Sequence, residues 1–222
     1  YDAAQSGYYP GNNQRRGYPF GAASIEQGDM RGEDMLNVQA FFAVTYGSTY
    51  NTSAPNGQAM WECTYQMINK INICIEGFKL AVSDGVIDDA KAKDYEGEAR
   101  FLRALGYHEL LIHFARPYAD TPDASHLGVP LSTAPINSID KVEEAKSAGR
   151  ATVKQVYDQI IEDLNFAEAN LPATRAGGLR ISRATKGAAI ALKVRIYQHM
   201  GNMPQLIAES QKIVNTSFES PI

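Results

Sequence analysis

Residues 97–107 read Gly97-Glu98-Ala99-Arg100-Phe101-Leu102-Arg103-Ala104-Leu105-Gly106-Tyr107, and the continuation to Ala115 decides the fold. Between Ala99 and Ala115, apolar residues fill 11 of 17 positions, with no proline to interrupt them. So broad an apolar surface predicts a helix packed on more than one side. Asp88 is placed to cap its start. Pro117 stops it, because the residue before a proline is pushed out of the α region.

Working outward, the same period recurs on both sides. Upstream, Trp61, Tyr65, Ile68, Ile71, Asn72, Ile75, Phe78 and Val82 recur every three or four residues, predicting a helix from Gln58 that closes near Gly85. Downstream, residues 117–149 read as a long connection containing Pro117, Pro122, Pro130 and Pro135. Thr152 and Gln155 then form a capping box. The stripe behind it is Val153, Val156, Tyr157, Ile160, Ile161, Leu164, Ala167 and Leu171, ended by Pro172. Ser182 is the expected cap of an alanine-rich helix that ends at Gly201-Asn202. Pro204 suits the first turn of a last helix, with Leu206, Ile207, Ile213 and Val214 expected on its inner face. The helices are expected to stand in antiparallel pairs, 58–84 with 88–116 and 182–200 with 203–216, and the helix at 152–171 joins one of them. The fold class expected is all-α, stacked tetratricopeptide-like helical pairs. Residues 1–57, rich in Gly and Pro, read as a loop-rich segment packed on a 58–222 scaffold, with a short helix possible around Met35–Phe42.

Composition narrows the function. The 222 residues are 44% hydrophobic and carry a formal net charge of −4. That balance argues against nucleic acid, whose binding needs clustered Lys and Arg. No apolar run approaches the roughly 20 residues that span a bilayer. Cys63 and Cys74 lie in one helical pattern, about 16 Å apart. They are too far apart to pair, and read as two small buried apolar groups. Both chain ends read as cut and no export signal is visible, so a portion of a longer product is expected.

Six pieces, in order, resemble the SusD/RagB family of nutrient-binding lipoproteins. They are Gly28-Asp29-Met30-Arg31-Gly32-Glu33-Asp34, the Trp61-to-Asn72 run, the Gly97–Tyr107 run of the form G-E-A-x-F-L-R-A-x-x-Y, Gly128-Val129-Pro130-Leu131, residues 150–172, and residues 184–202. The resemblance covers nearly all of the chain from Ser24. It implies a helical scaffold with an irregular part packed on it, here without its C-terminal portion. It also implies a surface position at the outer membrane through an N-terminal lipid anchor, and that anchor is absent from this chain. The implied role is capture of an oligosaccharide, or a peptide, beneath which sits a SusC-like TonB-dependent transporter. A helical-repeat adaptor binding a partner polypeptide is the alternative reading.

Sugars are held by flat aromatic faces, with amides, carboxylates and guanidinium groups meeting the hydroxyls. That combination occurs in residues 29–56, as Asp29, Arg31, Asp34, Phe41, Phe42, Tyr46, Tyr50, Asn51 and Asn56. Tyr46, Tyr50 and Asn51 are the first candidates, with Asp29, Arg31 and Asp34 beside them. The acidic group Asp29, Glu33 and Asp34 around Arg31 could chelate a cation or meet sugar hydroxyls, but reads first as a local salt-bridge and turn network. Trp61 reads as core, Arg100 and Arg103 as structural, and Glu162-Asp163 as solvated. His108 and His113 lie five residues apart, about 140° around a helix, so they do not share a metal as i, i+4 histidines do. No nucleophile–base–orienter set and no pair of convergent carboxylates is legible, so no catalysis and no cofactor is expected.

Overall fold

The computed structural model describes residues 1–5, 17–30, 32, 55–180 and 182–214. It divides into two compact units, Tyr1–Ile68 and Asn69–Ile222.

The first unit holds α1 (Asp2–Gln5), α2 (Ala22–Asp29) and the opening turns of α3 (Pro55–Ser83). Helix α2 falls inside the stretch expected to be loop; its polar, Gly-containing sequence gives little periodicity. The Met35–Phe42 helix lies outside the described residues. Pro55 starts α3 three residues earlier than expected, as a first-turn proline can. Ala59, Met60, Cys63, Thr64, Met67 and Ile68 form its buried stripe. Thr64 lies in that stripe because its hydroxyl donates to the Met60 carbonyl at 2.6 Å.

The second unit holds the rest of α3, then α4 (Asp89–Phe114), α5 (Ile139–Ser147), α6 (Val153–Asn170), α7 (Lys186–His199) and α8 (Met203–Val214). Helix α3 ends in a Schellman turn. Gly85, at φ 70°, donates to Val82, and Val86 donates to Ala81. Gly201, also at φ 70°, repeats the device after α7. Asp88 caps α4 by accepting from the Lys91 amide at 2.7 Å. The Thr152 capping box opens α6.

Helix α6 packs against both α4 and α7, and α8 packs on α7. The helices form the expected stack, and α6 packs on a member of each expected pair rather than joining one of them. Val153, Val156, Tyr157, Ile160, Leu164 and Ala167 are its buried face. Ala189, Ile190, Leu192 and Ile196 answer from α7. Gly97 lets Leu171 close on α4, where an added Cβ would sit 3.1 Å from the leucine side chain. Lys193 is buried in α7 and reaches Glu168 and Asn165 of α6 and, at 3.0 Å, Glu209 of α8.

Several boundaries differ from expectation. The 117–149 connection contains α5, capped by Ser138 onto Lys141. None of its residues is buried, so no core-facing stripe announces it. Helix α7 starts at Lys186, capped by Thr185 onto the Ala188 amide, and not at Ser182, which is exposed and bonds back to the Gly178 carbonyl. Thr185→Ala should therefore cost about 1 kcal/mol of stability in thermal unfolding, whereas Ser182→Ala should stay within about 0.5 kcal/mol. In α8 the expected inner face is not inner. Ile207 and Val214 are exposed, Leu206 and Ile213 are half-buried, and Glu209 is the buried residue. Both cysteines are free as expected, but Cys74 is exposed.

Candidate functional site

The decisive motif turns out to be a buried polar clamp. Arg103, on α4, places Nε 2.8 Å and Nη2 2.6 Å from the two oxygens of Asp163 on α6. Its Nη1 donates to Asn72 Oδ1 of α3 at 2.8 Å. Asn72 turns its amide to the carbonyls of Ser132 and Ala134, both at 3.1 Å. The Tyr107 hydroxyl meets the Ser132 backbone twice, donating to the carbonyl and accepting from the amide, each at 2.7 Å. Burial pushes the Tyr107 phenol up to about 12, so it stays a donor at neutral pH. Asn69 adds a second bidentate grip, on Ile136 N–H at 2.7 Å and its carbonyl at 3.1 Å. Two helix faces thereby hold the main chain of 132–136, which has no strand or helix to satisfy it.

Arg100 is structural as well. It bonds Glu96 at 2.8 Å, approaches Asp163 at 3.5 Å and lies over the Phe166 ring at 4.2 Å. Asp163 corrects the sequence reading outright: it is fully buried, not solvated. Burial pushes its carboxyl pKa up, and the hydrogen bonds and charge of Arg103 oppose that. A signal was there, since Asp163 follows Ile160 by three positions and precedes Ala167 by four, in register with the apolar stripe. Upstream of the clamp, Gly128 lies flat against the start of α6. Its amide donates to Ala151 at 2.8 Å, and an added Cβ would meet backbone atoms of 151–153 at 3.1 Å.

None of these groups is free to bind a ligand; they build a frame. Of the residues expected to touch one, Arg31, Asp34, Tyr46, Tyr50 and Asn51 lie outside the described residues. Asp29 is exposed at the end of α2, where its carbonyl accepts from Gly32. The first unit offers a further surface that the sequence reading assigned to the core. Trp61 is half-buried, not buried, and its ring lies 4.8 Å from that of half-buried Tyr65, tilted by 51°. Gln58 donates to Glu62 at 2.7 Å alongside. Residues 58, 61, 62 and 65 share one helix face, so two rings, an amide and a carboxylate line up together. Among the described residues, no three of His, Cys, Asp and Glu converge as metal ligands. None of the described helices is long and apolar enough to cross a membrane.

The fold and this frame define an all-α, tetratricopeptide-like scaffold protein. Residues 6–198 match the SusD-like family model described as starch-binding and associating with the outer membrane, and the chain belongs to that family. SusD-like protein P2 of Formosa agariphila is 29% identical over 160 residues, covering 71% of this chain and 27% of its own length. A crystal structure of a SusD superfamily protein from Bacteroides fragilis matches with a TM-score of 0.80 and 26% identity, over 99% of this chain and 48% of that one. The structure of a laminarin-binding SusD-like protein matches with a TM-score of 0.60 and 26% identity, over 78% of this chain and 32% of that one. The chain thus spans about a quarter of the curated relative and under half of these solved structures.

Proposed function

We propose that this chain is the helical part of a non-catalytic protein that binds an oligosaccharide at the outer-membrane surface and passes it to a TonB-dependent transporter. Family membership carries the reading, and the family model is described as starch-binding. The Trp61–Tyr65 rings of the first unit are the first group of contacts, and a lipid anchor keeps the protein at the membrane. Stacked sugar faces suit half-exposed rings, and Gln58 and Glu62 supply hydroxyl partners. The second group of contacts is Tyr46, Tyr50 and Asn51, flanked by Asp29, Arg31 and Asp34.

The test uses the full-length protein in calorimetry against a panel that includes starch and laminarin oligosaccharides, the latter because a structural relative is named for binding it. Wild type should bind at least one. Trp61→Ala and Tyr65→Ala should each weaken binding by about tenfold or more, roughly 1.4 kcal/mol. No binding to any glycan would overturn the reading. Binding untouched by both substitutions, but lost on Tyr46→Ala or Tyr50→Ala, would move the site to the loop-rich segment.

A further inference from the structure

The buried groups of the clamp all have partners, but His108, one residue further along α4, does not. Its ring is 0% exposed, yet neither Nδ1 nor Nε2 has a hydrogen-bond partner among the described residues. Aromatic rings from two other helices pack against it. His199, at the end of α7, presents its ring at 4.6 Å and 70°. Tyr157 of α6 lies at 6.3 Å and 69°, and in turn meets Tyr118 edge-on at 5.1 Å. Helices α4 and α7 touch only narrowly, so this histidine sits where α4, α6 and α7 come together.

The groups facing the ring favour its neutral form. From α7 come exposed His199 and Arg195, both of which oppose a second positive charge. From α6 comes the Tyr157 phenol, which burial pushes up to about 12 and so keeps uncharged. Glu109, next to His108 on α4, favours the cation. An imidazolium here would bury two N–H donors and a charge with nothing to receive them.

We propose that His108 is an acid-released latch: protonation expels its ring from the joint and frees the α7–α8 hairpin from α4, while the Arg103–Asp163 clamp keeps α4 on α6. Burial first, then His199, lowers the His108 pKa from 6.5 to about 4. The unfolded or opened chain therefore binds more protons between those values. Stability is complete above about pH 6.5 and falls as pH drops toward 4, by up to roughly 300-fold in the closing equilibrium.

The test combines two exchange measurements on the full-length protein between pH 7 and about 3.5, a range that includes the His108 value of about 4. Deuteration at imidazole Cε1, followed by mass spectrometry, reports the pKa of each histidine separately. Amide exchange reports protection in α7, α8 and α6. His108 should titrate about two pH units below the ordinary histidine value of about 6.5, and α7 should lose protection before α6. His199→Ala removes an exposed facing ring that disfavours the His108 cation, so it should raise the His108 midpoint. A His108 that titrates near 6.5, or a midpoint that stays put in His199→Ala, overturns the latch. So does a His108→Leu protein whose α7 loses protection over the same pH range as wild type. If His108→Leu does not fold, the histidine titration and the His199 variant still decide.

Discussion

Asp163→Ala should cost about 3–5 kcal/mol in urea or thermal unfolding. The substitution leaves the Arg103 guanidinium buried with two of its donors unpaired, and it deprives Arg100 of a partner at 3.5 Å. The damage would not stay local. Arg103 also holds Asn72, and Asn72 holds the main chain of 132–134, so the loop should lose proteolytic protection together with the helix pair. Replacing both partners, as Arg103→Met with Asp163→Leu, removes the unpaired charge and should restore part of the stability. It should not restore the loop, because Asn72 Oδ1 then lacks its donor. A cost below about 1 kcal/mol for the single change would mean that water or another group satisfies Arg103, and the clamp would not be a clamp.

The second large effect is a contrast between two isoleucines. Ile160 is 0% exposed near the centre of α6, and Ile160→Ala should cost about 2–5 kcal/mol, set by how far the cavity collapses. Ile207 is 55% exposed on α8, and Ile207→Ala should stay within about 0.5 kcal/mol. By sequence alone both are apolar residues on an amphipathic helix, and both were expected to face inward. Equal costs, measured by unfolding of the same protein, would return Ile207 to a packed interface and contradict the exposed face of α8.

The helices themselves were legible because helix formation is local. The stripe from Val153 to Leu171 needs only its own spacing, and Thr152 with Gln155 closes a turn within four residues. Pro117 and Pro172 act on their immediate neighbours. The motif Gly97–Tyr107 marks the family from the order of its residues alone. Helix α5 was missed because none of its residues is buried, so there was no stripe to see. The start of α7 slipped from Ser182 to Thr185 because both residues are competent caps, and local chemistry does not choose between them. Of the candidate site, the residues named in 29–51 remain a proposal except for the exposed position of Asp29. The Trp61–Tyr65 face was misread because helical spacing marks which residues share a side, but not whether that side is fully covered.

The chain's own order of residues determined how many long helices form in the scaffold, where most of them stop, and which family they build, since periodicity, caps and prolines act over a few residues. Tertiary structure alone decided which polar groups those helices enclose. Arg103 and Asp163 are 60 positions apart, and Tyr157 and His199 reach His108 from two other helices. A charge in an apolar stripe is ruinous or stabilising according to what faces it, and what faces it is a property of the packed stack.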